Sequence, residues 1–156
     1  MPKISAIIHA QNDERRIGRA LESLRACDQV IVVDHGSSDA TAKVAREYGA
    51  TVMSGVPGVE PGAYIMDAHH DWILCVLPNE SLTEGLEASL FEWREGEPDE
   101  VVGYRVEVRE EVGGGWQSLG PQLRLVNRQR MNWQGKLPPN EEAPGLQGEV
   151  MRFAKP

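Results

Sequence analysis

Cysteine is nearly absent from this chain: Cys27 and Cys75 are the only two in 156 residues, each in an apolar setting. Without a short Cys pairing there is no zinc-type spacing and no disulfide framework, so two buried free thiols in a reducing compartment are expected. Long apolar runs are missing as well. The N-terminal MPKISAII is broken by Gln11, Asn12 and Asp13. It is too short for a signal peptide or a membrane span, which leads to the expectation of a cytoplasmic protein without a transmembrane segment. Positive charge is scarce, with 16 Lys and Arg against 24 Asp and Glu and a net charge of -8. That balance disfavours nonspecific binding to nucleic acid or an anionic membrane, since both draw on Lys and Arg to release counterions. Arg124, Arg128 and Arg130 are the candidates for a local basic patch. Glycine-rich loops of the Rossmann and P-loop types are absent, and no Ser/His/Asp or Cys/His nucleophile set has a local signature.

What is present is a strand-helix alternation sized for one domain. Residues 4–9 and 30–34 are short, continuous Ile and Val runs, as expected of parallel strands covered on both faces. Between them Ile17, Leu21 and Leu24 recur on one helical face, with Asn12 as the expected cap and Asp13 and Glu14 suited to the positive first turn. Gly36, Ser37, Ser38 and Asp39 read as a turn into a second helix ended by Gly49. A third, edge strand is expected over 50–53 and a loop over 55–62, with a short helix through 64–69. Residues 71–77 read as another buried strand stopped by Pro78, and Thr83 caps a helix burying Leu86, Leu90 and Trp93. Beyond the polar stretch 95–100 the pattern changes. Val102, Tyr104, Val106 and Val108 alternate with polar residues, the mark of a half-exposed antiparallel strand turning at Gly113 to Gly115. Two short strands, 122–126 and 149–153, complete an α/β chain. Its expected form is a mainly parallel central sheet flanked by helices, with a nucleotide-binding half (1–95) and a β-rich half (96–156), the latter the acceptor side by the resemblance given below.

In open parallel sheets, ligands bind beyond the carboxyl ends of the strands. Those ends carry His9 to Asn12 after the first strand, Asp34 to Ser38 after the second, and Leu77 to Glu80 after the fourth, with Ala10, Gln11, Asn12, Asp34, His35, Gly36, Asn79 and Glu80 as the candidates among them. Asp34 is the strongest candidate, because a carboxylate closing an Ile-Val-Val strand can accept hydrogen bonds from a base or ribose; its other reading is a cap for the Gly-Ser-Ser turn. Asp39 reads as a charge for the helix start. His69, His70 and Asp71 have metal-ligand types but cannot converge as neighbours on one segment.

These residues carry a resemblance. IIHAQNDERRIGRALESL followed by VIVVDHGSSDAT resembles the strand, Asn-Glu-Glu helix and Val-Asp-x-Gly-Ser-x-Asp motif of family 2 glycosyltransferases. These are inverting enzymes with an A-type, Rossmann-like nucleotide-diphospho-sugar transferase fold, and the short bacterial members that build lipopolysaccharide cores are the most similar. Fainter similarity runs through DWILCVLPNESLTEGL, GYRVEV and QLRLVNRQRMNWQGKL. The resemblance implies transfer of a sugar from a nucleotide-sugar to an acceptor in cell-envelope synthesis. It also implies a nucleotide pocket formed by Ala10 to Asn12 and Asp34 to Gly36. The family's Asp-x-Asp pair holds a divalent cation on the diphosphate.

Here that pair reads Leu77 and Asn79 around Pro78. A basic residue and Asn expected in the preceding loop are replaced by Pro61-Gly62, and the later His-Glu after a Gly by Lys136-Leu137-Pro138-Pro139. No tightly bound Mg or Mn is therefore expected. Asn79, Glu80 and Arg124 are left as candidates for the phosphate or acceptor side. Two functions stay open: sugar transfer in which fixed arginines replace the cation, or a catalytically inactive nucleotide-binding module that serves a protein partner.

Overall fold

A computed structural model describes residues 1–156. The two Ile and Val runs become its central strands. β1 (Ile4–Ala10) is buried at every position and β2 (Gln29–Asp34) lies parallel to it. One face of β1 packs Ile4, Ala6 and Ile8 against the helices α1 (Ile17–Glu22), α2 (Thr41–Glu47) and α3 (Glu84–Glu95). The opposite face packs Ile7 against Tyr64, Ile65 and Trp133, brought there by a 3-10 helix over Pro61–Asp67 and by the irregular segment 128–144. β3 (Thr51–Ser54) is the edge strand beside β2, and β4 (Trp72–Cys75) pairs parallel with β1 on its other side.

The alternating half of the chain extends this same sheet. β6 (Gly103–Val112) and β7 (Gly115–Asn127) form a long antiparallel ribbon, and β7 pairs antiparallel with β4. β8 (Gly145–Arg152) runs parallel to β6, and β5 (Glu80–Leu82) pairs antiparallel with β8. The strand order is β3-β2-β1-β4-β7-β6-β8-β5. Only residues 76–79 separate β4 from β5 in the chain, yet β5 ends the order, so the mixed sheet curls until its last strand returns beside the end of β4.

Glu80 fills that curl. Its side chain is wholly buried and accepts from Arg124 Nη1 and Nη2 at 2.7 Å each, from Arg152 Nε at 3.1 Å and from the Leu77 N–H at 2.8 Å. A carboxylate has about four acceptor positions, and all are taken. Burial alone would push the Glu80 carboxyl up, but the Arg124 hydrogen bonds and charge, the Leu77 N–H and Arg152 outweigh it and hold it below the usual range. Arg124 is equally enclosed at 1% exposure, its remaining donors going to the Cys75 carbonyl and to Gln122 Oε1. Ser23 adds a neutral tie from α1, accepting the Leu82 N–H at 3.0 Å.

α3 starts as the sequence predicts, with Thr83 Oγ1 accepting the Leu86 N–H and with Leu86 and Leu90 fully buried. Each such leucine stabilises the fold by roughly 1.5–3 kcal/mol. Other expectations need correction. α1 begins at Ile17 with no side-chain cap and no acid in its first turn. β4 stops at Cys75, two residues before the predicted end, and β5 has no counterpart in the sequence reading. β7 is 13 residues long and starts at Gly115.

Replacing Glu80 by Leu strands a buried guanidinium, so Glu80→Leu should lower unfolding free energy by about 3–5 kcal/mol. The double variant Glu80→Leu/Arg124→Leu should recover most of that loss. Urea denaturation of the three proteins measures both effects.

Candidate functional site

Two loops meet at the carboxyl ends of β1 and β2 and bind each other through a set of reciprocal hydrogen bonds. The Asn12 backbone is left-handed at φ 55°, its N–H donates to Ser37 Oγ at 2.9 Å, and its Oδ1 accepts from Ser38 N–H at 2.8 Å. The Asp13 N–H donates to the buried Thr41 Oγ1 at 2.8 Å. Asp39 Oδ1 accepts from the Thr41 backbone and hydroxyl, and its Oδ2 accepts the Glu14 N–H. These bonds, the Thr41 hydroxyl first, hold the Asp39 carboxyl below its ordinary range. Asn12, Asp13 and Glu14 thus cross-link two turns, where the sequence suggested the start of α1. Asn can take this role because its short amide tolerates positive φ and bonds nearby backbone.

Asp34 stands at the centre of the junction. Its Oδ1 accepts from the Ser37 N–H and hydroxyl, as a turn cap would, while Oδ2 accepts from no group of the protein. Both readings of this residue therefore coexist: one oxygen closes the turn and the other is free for a ligand. Beside it a crevice of about 450 Å³ is lined by Gln11, His35, Gly36, Gly55, Val56 and Lys136, among others. A larger depression of about 630 Å³ lies against Arg25, Asp28 and Gln29 at the amino ends of β2 and β3. That is the wrong end of a parallel sheet for a ligand site.

The crevice floor holds residues to which the sequence reading gave little weight. His9 Nδ1 lies 2.9 Å from His35 Nε2, the two rings stack with centroids 5.1 Å apart, and Tyr64 sets its edge against both. His9 is 3% exposed and its pKa is lowered to about 4, by burial first, then by His35 and Lys136, with the Pro61 carbonyl opposing. Burial and Lys136 likewise lower His35, against the pull of Asp34. The available signal was a His in a strand of Ile and Ala, one residue before the Ala10↔Asp34 pairing of β1 with β2. Lys136 could not be placed from the sequence. It arrives because Gly62 lets the following segment dock: the Gly62 N–H donates to Gln134 O, and any Cβ there would lie 1.8 Å from Trp133 O.

The residues expected on the phosphate side behave differently. Glu80 and Arg124 spend every acceptor and donor on protein partners, as described above. The Asn79 side-chain Nδ2 donates to Phe153 O at 3.2 Å, and the Asn79 backbone carbonyl accepts the Phe153 N–H at 2.9 Å. Leu77 is hydrocarbon. These positions do not fit a divalent cation, because the one carboxylate is already saturated by two arginines. No three His, Cys, Asp or Glu side chains elsewhere form a ligand set. Arg128 cannot replace a cation either, since it binds Asp71, Ile65 O and Ala68 O at the amino end of β4. Arg130 reaches only toward Val101 O. Both cysteines are unpaired, and burial pushes each thiol up to about 12, which removes them as nucleophiles. No helix is long and apolar enough to cross a membrane.

The neutral His9 carries a pH signature. Unfolded histidine titrates near 6.5, so between that value and about 4 the unfolded chain takes up a proton that folded His9 refuses. The stability due to neutral His9 is complete above the unfolded pKa and is lost as pH falls toward the folded one. The expected loss is up to about 3 kcal/mol. Urea denaturation between pH 7 and pH 4.5 should show it, and the His9→Leu variant should lack most of the slope.

With the geometry established, comparisons with known proteins converge on one family. The model for glycosyl transferase family 2 matches residues 5–58. Over 92 residues the chain is 38% identical to an uncharacterized glycosyltransferase of Rickettsia typhi, covering 56% of this chain and 31% of that protein. Over 56 residues it is 48% identical to the 4,4'-diaponeurosporenoate glycosyltransferase of Staphylococcus aureus, covering 34% of this chain and 15% of that protein. The chain thus spans less than a third of the length of these curated relatives. Among solved structures, residues 1–349 of S. aureus TarS superpose with a TM-score of 0.57 at 23% identity, covering 72% of this chain and 37% of that one. The glucosyl-3-phosphoglycerate synthase of Mycobacterium tuberculosis, in complex with Mn2+, uridine diphosphate and glucosyl-3-phosphoglycerate, gives 0.50 at 21% identity, covering 72% and 45%. The strand-helix-strand unit that frames the crevice matches the model of glycosyl transferase family 2, and the chain shares the fold of the nucleotide-sugar transferases that superpose on it.

Proposed function

We propose that the crevice beyond Ala10, Asp34 and Gly36 binds the nucleoside diphosphate part of a nucleotide-sugar, and that the chain is the donor-binding part of a sugar transferase. The observation that carries this reading is the Oδ2 of Asp34, which accepts from no protein group at a strand end inside the matched family segment, beside a crevice of about 450 Å³ lined by its neighbours His35 and Gly36. In this role the backbone around Gln11 and Asn12 borders the nucleoside, and Lys136 faces the ligand as the crevice's one cation. The TarS fold neighbour is also known in complex with uridine diphosphate, which supports a ligand of that class here. A cytoplasmic location fits a consumer of nucleotide-sugars.

The diphosphate side separates two readings. Because Glu80 is saturated and Asn79 is tied to Phe153, the reading is metal-independent binding, with no cation at Asn79 and Glu80. The same saturation favours a second reading, a module that holds the nucleotide without turnover and presents it to a protein partner. Release of uridine diphosphate from a uridine-diphosphate sugar in the presence of candidate acceptors supports transfer. Binding without any release supports the module.

Isothermal titration with uridine and guanosine diphosphates should give the same Kd in EDTA and in Mn2+, within about threefold. Asp34→Ala should weaken that binding by roughly 1–3 kcal/mol, because the ligand donor facing it loses its buried partner. Unchanged affinity in the variant removes Asp34 from the site, and a strict Mn2+ requirement contradicts the metal-independent reading.

A further inference from the structure

A nucleoside diphosphate brings several negative charges into a crevice, and enclosing them without a partner is costly. Leu77, Asn79 and the saturated Glu80 offer no cation site to offset them. The arginines expected from the sequence do not serve either, because Arg124, Arg128 and Arg130 are engaged elsewhere. Arg16 is paired with Asp13 at 2.7 Å and Arg152 with Glu80 at 3.1 Å, while Arg19 donates to Lys155 O and lies over the Phe153 ring. Lys136 differs from all of these. It lines the crevice, it is exposed, and its ammonium joins no ion pair and no hydrogen bond within the protein. Its charge is nevertheless close enough to His9 and His35 to lower both rings. A lysine ammonium is a compact charge with three donors, a set that suits phosphate oxygens.

Lys136 stands on an arch over residues 133–140 that is pinned on both sides. Trp133 and Leu137 pack into the same core cluster, so the arch is seated to either side of the lysine. The Gly62 N–H donates to Gln134 O at 2.8 Å, and a Cβ on residue 62 would lie 1.8 Å from Trp133 O. Glycine is what lets the arch come this close. At the far end Asn140 Oδ1 accepts the Leu123 N–H and its Nδ2 donates to Pro121 O, each at 3.0 Å. Those bonds tie the arch to β7, the neighbour of β4 in the sheet. The arch thus leads from the crevice to the strand beside β4, and it carries an unneutralised ammonium on the way.

We propose that Lys136 binds the diphosphate in place of a divalent cation, and that Gly62 is the positioning residue that seats its arch. The proposal rests on the nucleoside diphosphate reading above and adds to it the charge that serves the phosphates.

Titration calorimetry of the whole chain in EDTA with uridine diphosphate, and with uridine read by competition, tests it. The wild-type chain should bind the diphosphate about tenfold or more tightly than uridine, the scale of one charge-assisted contact. Added salt should shrink that ratio. Lys136→Met should bring the two ligands to within about threefold, with uridine affinity unchanged, and Lys136→Arg should keep most of the ratio. Asp34→Ala, by contrast, should weaken both ligands alike. Arg15→Ala removes one positive charge outside the crevice lining and should leave the ratio as it is. Gly62→Ala should lower the ratio with uridine affinity retained, a split that a general loss of folding does not give. Because that variant shifts backbone and can unfold the chain, Lys136→Met, at an exposed side chain, decides the matter. An undiminished ratio in Lys136→Met, or an equal loss in Arg15→Ala, overturns the proposal and leaves the Asp34 pocket standing. Failure of both ligands to bind the wild-type chain overturns the nucleotide reading and the proposal together.

Discussion

The ion pair between Glu80 and Arg124 is the interaction on which the architecture turns. It sits where β4 ends and β5 begins, and it joins those segments to β7 through Arg124 and to β8 through Arg152. A carboxylate removed from water costs several kcal/mol unless its acceptors are met; here every acceptor is met, and the two arginines add charge of the right sign. The sheet can therefore curl tightly, returning β5 to the end of β4 around a paired charge. In doing so the pair also consumes the one carboxylate beside the position where the family's metal motif stands. Glu80 is therefore committed to the fold.

The other end of the crevice is built without buried charge. Asn12, Asp13 and Glu14 exchange hydrogen bonds with Ser37, Ser38, Asp39 and Thr41, so the β1–α1 and β2–α2 loops form one rigid rim. Preorganised rims reduce the ordering cost of binding. Asp34 is held by Ser37 with one oxygen left over, His35 is held by His9, and Lys136 is delivered by a segment that docks on Gly62. Each of these three side chains is thereby fixed by a neighbouring residue.

Much of this was legible in the sequence, and the boundary between what was and what was not is physical. β1 and β2 announce themselves by unbroken Ile and Val, α3 by Thr83 and the spacing of Leu86 and Leu90, and the β6–β7 turn by three successive glycines. The placement of Asp34 at a strand end followed from the same pattern. Asn12 did not: a short polar residue before an apolar helix reads as a cap, and only the approach of a turn some 25 residues later makes it a cross-link. β5 is three residues long and carries no periodicity, so nothing local marks Glu-Ser-Leu as a strand or Glu80 as buried. Arg124 looked like a free cation because its partner is 44 residues away. The contact between His9 and His35 was equally hidden, since it joins two strand ends 26 residues apart.

The central claim is that this fold holds a nucleoside diphosphate at Asp34 while its metal position is closed by Glu80 and Arg124. The most direct test is a crystal structure grown with uridine diphosphate and Mn2+, with anomalous data collected for manganese. The account predicts nucleotide density beside Asp34 and His35, an intact Glu80 and Arg124 pair, and no anomalous peak near Asn79. A manganese peak there, with Glu80 turned from Arg124 to ligate it, would contradict the account.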